Sequence, residues 1–170
     1  KKHKDIKGNH PRITAVSVVA NPDFEKIKDN NFKEYYYEPF TETLERYGLD
    51  DAFKMWQVGI KEDLFVPQFH GREHLNVAVW LRDLQKGDKQ TLEAFKEQCW
   101  GFANENKLGI DYQAAFDVEY KDDIAYQKLV IKEGLALFEE LHGYKADFFV
   151  PPNGPFNNQL EKTAADGGIK

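Results

Sequence analysis

Cysteine is nearly absent. Cys99 stands alone among 170 residues, which excludes an internal disulfide and a zinc centre built from cysteines. Long apolar runs are missing as well. No stretch reaches the roughly 18 residues that a membrane-spanning helix needs. A basic surplus is missing too: 23 Lys and Arg face 29 Asp and Glu, for a net charge of −6, the reverse of a nucleic-acid footprint. Residues 1–10 are polar and contain nothing like a secretory signal. No low-complexity segment and no fixed-period repeat is present.

Aromatic residues are abundant, with 13 Phe, 8 Tyr and 3 Trp. Together with 41% hydrophobic residues, they exclude a disordered chain. The length suits a single domain over residues 1–170 and is too small for two ordinary ones. The chain ends on Gly-Gly-Ile-Lys, directly after a helix-like segment and where another strand would be expected. That pattern reads as a piece of a longer protein.

The stretch 13–20, ITAVSVVA, is β-branched and apolar on both faces, so it reads as a strand buried on both sides. Asn21-Pro22-Asp23 ends it with turn chemistry. Phe32, Tyr36, Phe40, Leu44 and Tyr47 predict a helix over 31–47, with Pro39 breaking or kinking it and Gly48 stopping it. A second helix is predicted over 50–62. FVPQFH at 65–70 reads as a strand, and 75–85 and 90–103 read as amphipathic helices. DYQAAFDVEY at 111–120 alternates as a strand does. A strong helix follows over 122–141, stopped at His142-Gly143. DFFV at 147–150 is strand-like, and 158–165 opens a last helix. Strands alternating with helices predict an α/β fold with parallel strands and helical crossovers. The four expected strands are too few for a closed barrel of about 250 residues, so a partial barrel or an open sheet is expected.

In such sheets chemistry gathers at the carboxyl ends of the strands. Three motifs fall there: Asn21-Pro22-Asp23, His70-Gly71-Arg72-Glu73-His74, and Pro151-Pro152-Asn153-Gly154. His70 ends a strand and His74 follows four residues later, so two imidazoles can converge on one point. Neutral imidazole nitrogen suits zinc and its neighbours in the first transition row. The alternative is a pair of local hydrogen-bonding histidines with no metal. A third ligand would be a carboxylate, and Asp23, Asp117 and Glu119 are the candidates. On a strand, Asp117 and Glu119 face the same way. Pro151 and Pro152 stiffen the later loop, and Gly154 permits positive φ, so the loop can present backbone N–H groups to an oxyanion. Taken alone, that motif reads as a plain turn.

Together and in this order, ITAVSVVANP, PQFHGREH and the block EELHGYKADFFVPPNGPFNNQLEKTAADGGIK resemble the polysaccharide deacetylase superfamily, the NodB-homology domain. The likeness covers most of the chain, with 88–120 the least familiar part. It implies a distorted or partial (β/α) barrel and a metal-dependent hydrolase, most readily a zinc enzyme, acting on an acetylated oligo- or polysaccharide. Residue by residue, His70 and His74 match the metal-binding histidines of the motif His-(Ser/Thr)-x-x-His. Pro152 and Gly154 match the later motif, and Asn153 stands where the family has an aromatic residue whose backbone N–H faces the substrate oxygen. Val150 departs from the pattern, because the family places there an arginine that orients the catalytic base. The Asp-Asp motif that supplies base and third ligand is absent before Ile13. No histidine follows His142 to act as general acid. The expected base thus lies outside the chain, with Asp117 and Glu119 as the internal candidates, and the 170 residues alone are expected to be inactive. Phe156 or Trp80 would stack on sugar rings, with core packing as the alternative for both. Three further readings stay open: an inactive carbohydrate-binding relative, a C–N hydrolase acting on a small cyclic amide, and a plain interaction domain.

Overall fold

A computed structural model describes residues 3–102 and 109–170. Strand β1 (Ile13–Ser17) is followed at once by β2 (Ala20–Pro22) and helix α1 (Phe24–Asp29). Asp23 starts α1, its carboxylate accepting the Lys26 N–H at 3.0 Å. Strand β3 (Tyr37–Pro39), helices α2 (Phe40–Arg46) and α3 (Asp50–Lys61) and strand β4 (Phe65–Phe69) come next. Helices α4 (Val77–Lys86), α5 (Lys89–Lys96) and α6 (Asp123–His142) follow, and a single 3-10 turn at Asn158–Leu160 leads into α7 (Glu161–Asp166).

The architecture is mixed α/β with a small parallel sheet. β1 and β4 run parallel, with Ile13 opposite Phe65 and Ser17 opposite Phe69. β2 and β3 form a separate antiparallel ribbon. Phe149 adds one parallel bridge to Phe69. Two regular parallel strands and one bridge stand where four strands are expected from the sequence, and a barrel is not part of what is described. No helix among the described residues is long and apolar enough to cross a membrane.

Four local expectations are corrected. The strand over 13–20 is neither continuous nor buried on both faces. Among the described residues β1 pairs only with β4, which leaves Ile13 64% and Val16 45% exposed. The chain then bends, and the amides of Val19 and Ala20 both donate to the Arg72 carbonyl, at 3.0 and 2.7 Å. The helix over 31–47 shrinks to α2. Asn31 and Phe32 take φ of +51 and +59, which no right-handed helix tolerates. Pro39 sits extended at φ −52 and ψ 142 and pairs with Ala20 across the ribbon. The strand over 111–120 is a chain of turns, with the Ala114 amide bonded to the Asp111 carbonyl and the Asp117 amide to the Ala114 carbonyl, each at 3.0 Å. The Asp111 carboxylate also takes the Gln113 N–H at 2.7 Å, an Asx turn that competes with strand pairing. The strand over 147–150 reduces to the Phe149 bridge and one further bond, Val150 N–H to Phe69 C=O at 3.1 Å.

Helix α4 forms close to where its sequence pattern predicts, whereas α5 ends at Lys96, short of the expected end at 103. Asn76 caps it through the Val79 N–H at 3.3 Å, and Val77, Trp80 and Leu84 repeat on one buried face. Gly87 ends it in the left-handed region at φ 75, the usual helix stop. Two apolar clusters result. One gathers Phe69, Phe116, Val130, Ile131, Leu135, Phe138 and Leu160 around α6. The other gathers Ile27, Leu75, Val79, Trp80, Leu84, Phe95 and Tyr112 around α4. Phe69, the last residue of β4, belongs to the first, and Leu75, in the loop joining β4 to α4, to the second. That loop carries both histidines of the motif.

Candidate functional site

His70 follows directly on β4. Its amide donates to the Ser17 carbonyl at 2.9 Å, which extends the parallel ladder by one bond. Its ring Nδ1 lies 2.6 Å from the Val150 carbonyl oxygen. A carbonyl only accepts, so Nδ1 carries a proton, and in the neutral tautomer the lone pair is on Nε2. Metal-binding histidines are oriented in just this way, with the second ring nitrogen tied to a carbonyl or carboxylate.

Gly71 then turns the chain at φ +105. A Cβ there would lie 3.2 Å from the Glu73 carbonyl oxygen and 3.4 Å from Pro152 Cγ, so both backbone angle and space require glycine. After this turn His74 swings back toward His70. The two ring centroids are 5.0 Å apart with planes at 66°, an edge-to-face contact. Burial lowers the His74 pKa, and the neighbouring His70 ring lowers it further. Both effects favour the neutral imidazole that binds metal. His74 Nδ1 is buried with no hydrogen-bond partner, although backbone groups of His74 and Gln113 pull weakly toward the charged form.

Arg72 and Glu73, between the histidines, point the other way. They are 2% and 1% exposed and form a two-pronged ion pair, with Arg72 Nε donating to Glu73 Oε2 at 2.6 Å and Nη2 to Oε1 at 3.0 Å. The guanidinium also pairs with Glu133 and donates to Tyr126 Oη at 3.2 Å. The Tyr37 ring covers it at 4.2 Å. Burial pushes the Glu73 carboxyl up, and Arg72 opposes that shift. This network ties the histidine loop to α6, the segment around β3 and, through the Arg72 carbonyl, the start of β2.

The Pro151-Pro152-Asn153-Gly154 loop closes the other side. The Gly154 amide bonds to the Pro151 carbonyl at 3.2 Å. Asn153 and Gly154 both have positive φ, 52 and 94, a conformation asparagine accepts more readily than most residues. Asn153 Nδ2 donates to Asp111 Oδ2 at 3.5 Å, and the Asp111 charge in turn favours protonated His74. The structure therefore brings His70, His74, Pro152 and Asn153 together and adds Asp111. Sequence reasoning put Asp111 at the head of a strand. The Asx-turn pattern was its only local signal, and nothing in the spacing tied it to the histidines.

The other proposed residues lie elsewhere in the bonding pattern. Asp117 accepts the Val118 N–H at 2.8 Å, and its carbonyl holds Asn76 and Gln127. Glu119 accepts from Arg82 Nε at 2.7 Å, and the same guanidinium grips Asp123 at 2.8 and 2.9 Å. With no strand under them, the shared facing expected of Asp117 and Glu119 is lost. Asp23 is committed to its helix cap and to Lys26. Trp80 is fully buried in the α4 cluster, and Phe156 packs on Phe116 and Phe149, so core packing describes both.

The two imidazoles meet edge to face, and among the described residues no group of three or more His, Cys, Asp or Glu side chains assembles. A scan against protein-family models finds no match, and searches of curated proteins and of solved structures find none.

Proposed function

We propose that this chain carries the two-histidine part of a metal-dependent carbohydrate deacetylase, within a partial (β/α) barrel of the type its motifs resemble. The observation that supports the reading best is the pairing of His70 and His74 at the carboxyl end of β4, with His70 Nδ1 held by Val150 and the Pro-Pro-Asn-Gly loop alongside. His70 and His74 would hold a divalent cation, zinc being suited to two imidazoles and a carboxylate. Such an ion acts as a Lewis acid toward a carbonyl and lowers the pKa of bound water. The Val150 carbonyl keeps the His70 ring oriented. Burial keeps His74 neutral at pH values where a free imidazole is charged. Pro151 and Pro152 fix the loop so that backbone N–H groups near Asn153 can meet an oxyanion, which needs preorganised donors. A carboxylate would complete the ligand set, as catalytic zinc commonly has three protein ligands.

The test is a zinc titration of protein bearing no polyhistidine tag. Binding near one ion per chain is expected, weakened at least about tenfold by His70→Asn or His74→Asn with circular dichroism unchanged. Absence of binding, or binding indifferent to both substitutions, removes the reading. Val150, standing where the resemblance calls for arginine, favours a second reading: a relative that binds carbohydrate without turning it over. Sugar binding without acetate release would select it.

A further inference from the structure

Beside His74 the fold leaves a cavity of about 330 Å3, walled by Gln98, Cys99, Trp100, Gly101 and Gln113. That volume lies at the lower end of small-molecule sites, about 300–1,000 Å3. The Trp100 indole N–H donates to the His74 carbonyl at 3.1 Å, which ties this wall to the loop bearing both histidines. Tyr47 Oη donates to Gln98 Oε1 at 3.2 Å. That bond engages the carbonyl end of the amide.

We propose that this cavity is a subsite for one uncharged pyranose ring and that Trp100, Gln98 and Gln113 set substrate specificity. Apart from His74 and the Cys99 thiol, the described lining holds no ionisable side chain, so among the described residues it favours an uncharged ligand. Side-chain amides donate and accept at once, as sugar hydroxyls do. The flat indole provides an apolar surface for the C–H face of a ring. The choice of a sugar rests on the deacetylase reading. The residues do not: they come from the stretch 98–113, outside the motifs that carry the resemblance.

Cys99 is the sole cysteine and is exposed, so its alkylation by iodoacetamide reports occupancy without any turnover. Acetylated and unacetylated xylo- and chito-oligosaccharides serve as the probes. At saturating probe, Cys99 alkylation should slow at least threefold. Trp100→Ala and Gln98→Glu should lose that protection. Gln98 is exposed, so its variant folds even if loss of the indole disturbs the loop. No protection in the parent protein, or protection unaltered by both cavity variants, overturns the subsite. Protection alongside failed zinc binding leaves the subsite standing and removes the hydrolase. Histidine-dependent zinc binding without protection does the reverse.

Discussion

The His70–His74 pair and His142 show how one residue type takes two roles in the same chain. The paired rings sit half-buried at the end of a strand, with a carbonyl on one nitrogen and a partner ring 5.0 Å away. His142, at the end of α6, is shut inside an aromatic box. Phe138 lies 4.5 Å from its ring, Trp56 stacks at 17°, and Phe40, Phe53 and Tyr144 close the remaining sides. Neither nitrogen of His142 has a partner, and burial alone lowers its pKa to about 4. The pair is arranged by polar contacts and is available for chemistry. His142 is held by packing and works as a core residue that has kept a titratable ring. An unpaired buried polar group costs stability, and here that cost becomes a dependence on pH.

The comparison breaks most severely at Arg72. Arg72→Ala strips the charge partner from buried Glu73 and should cost about 3–5 kcal/mol, as expected when one half of a buried ion pair is removed. Urea denaturation measures the loss. A cost under about 1 kcal/mol would mean that the histidine loop holds itself without the network.

His142 gives the next effect. Its folded pKa, about 4, lies below the ordinary 6.5, so between those values the unfolded chain binds the proton more tightly. Stability is then full above pH 6.5 and falls as pH drops toward 4, by up to about 3 kcal/mol. His74, also lowered by burial, adds to the same limb. His142→Leu should flatten most of it, as seen by thermal melts across that range. An acid limb unchanged in this variant would place the pH sensitivity in other groups.

The smallest effect belongs to the histidine turn. Gly71→Ala forces a side chain into φ +105 against Pro152 and should cost about 1–2 kcal/mol. It should also weaken zinc binding more than it lowers the melting temperature, because it moves His74 relative to His70. Equal losses in both would show the turn to be structural only.

Much of this was legible in the sequence where local rules and tertiary packing agree. Helix α3 lies where the sequence predicts it, α6 follows its apolar spacing and its stop at His142-Gly143, and the histidine and Pro-Pro-Asn-Gly motifs mark the two loops that meet. The stretch 111–120 misled because Tyr112, Ala114 and Phe116 are all buried and alternate as strand residues would, while Asp111 turns the chain. Phe32, Tyr36 and Phe40 have helical spacing, but the positive φ at Asn31 and Phe32 depends on how that segment packs. The ion network was invisible because Tyr37, Arg72, Tyr126 and Glu133 are scattered along the sequence and meet only in the folded chain.

Gly134 lies in mid-helix, where glycine is ordinarily a weakness. A methyl group there would come within 2.7 Å of Phe69 Cζ and 3.0 Å of Arg72 Cβ. The bulk at position 134 and the bulk at position 69 thus draw on one fixed allowance of room. Enlarging the first demands trimming the second, so these two distant sites are free to vary only in tandem, and the seat of the imidazoles shifts whenever that exchange is uneven.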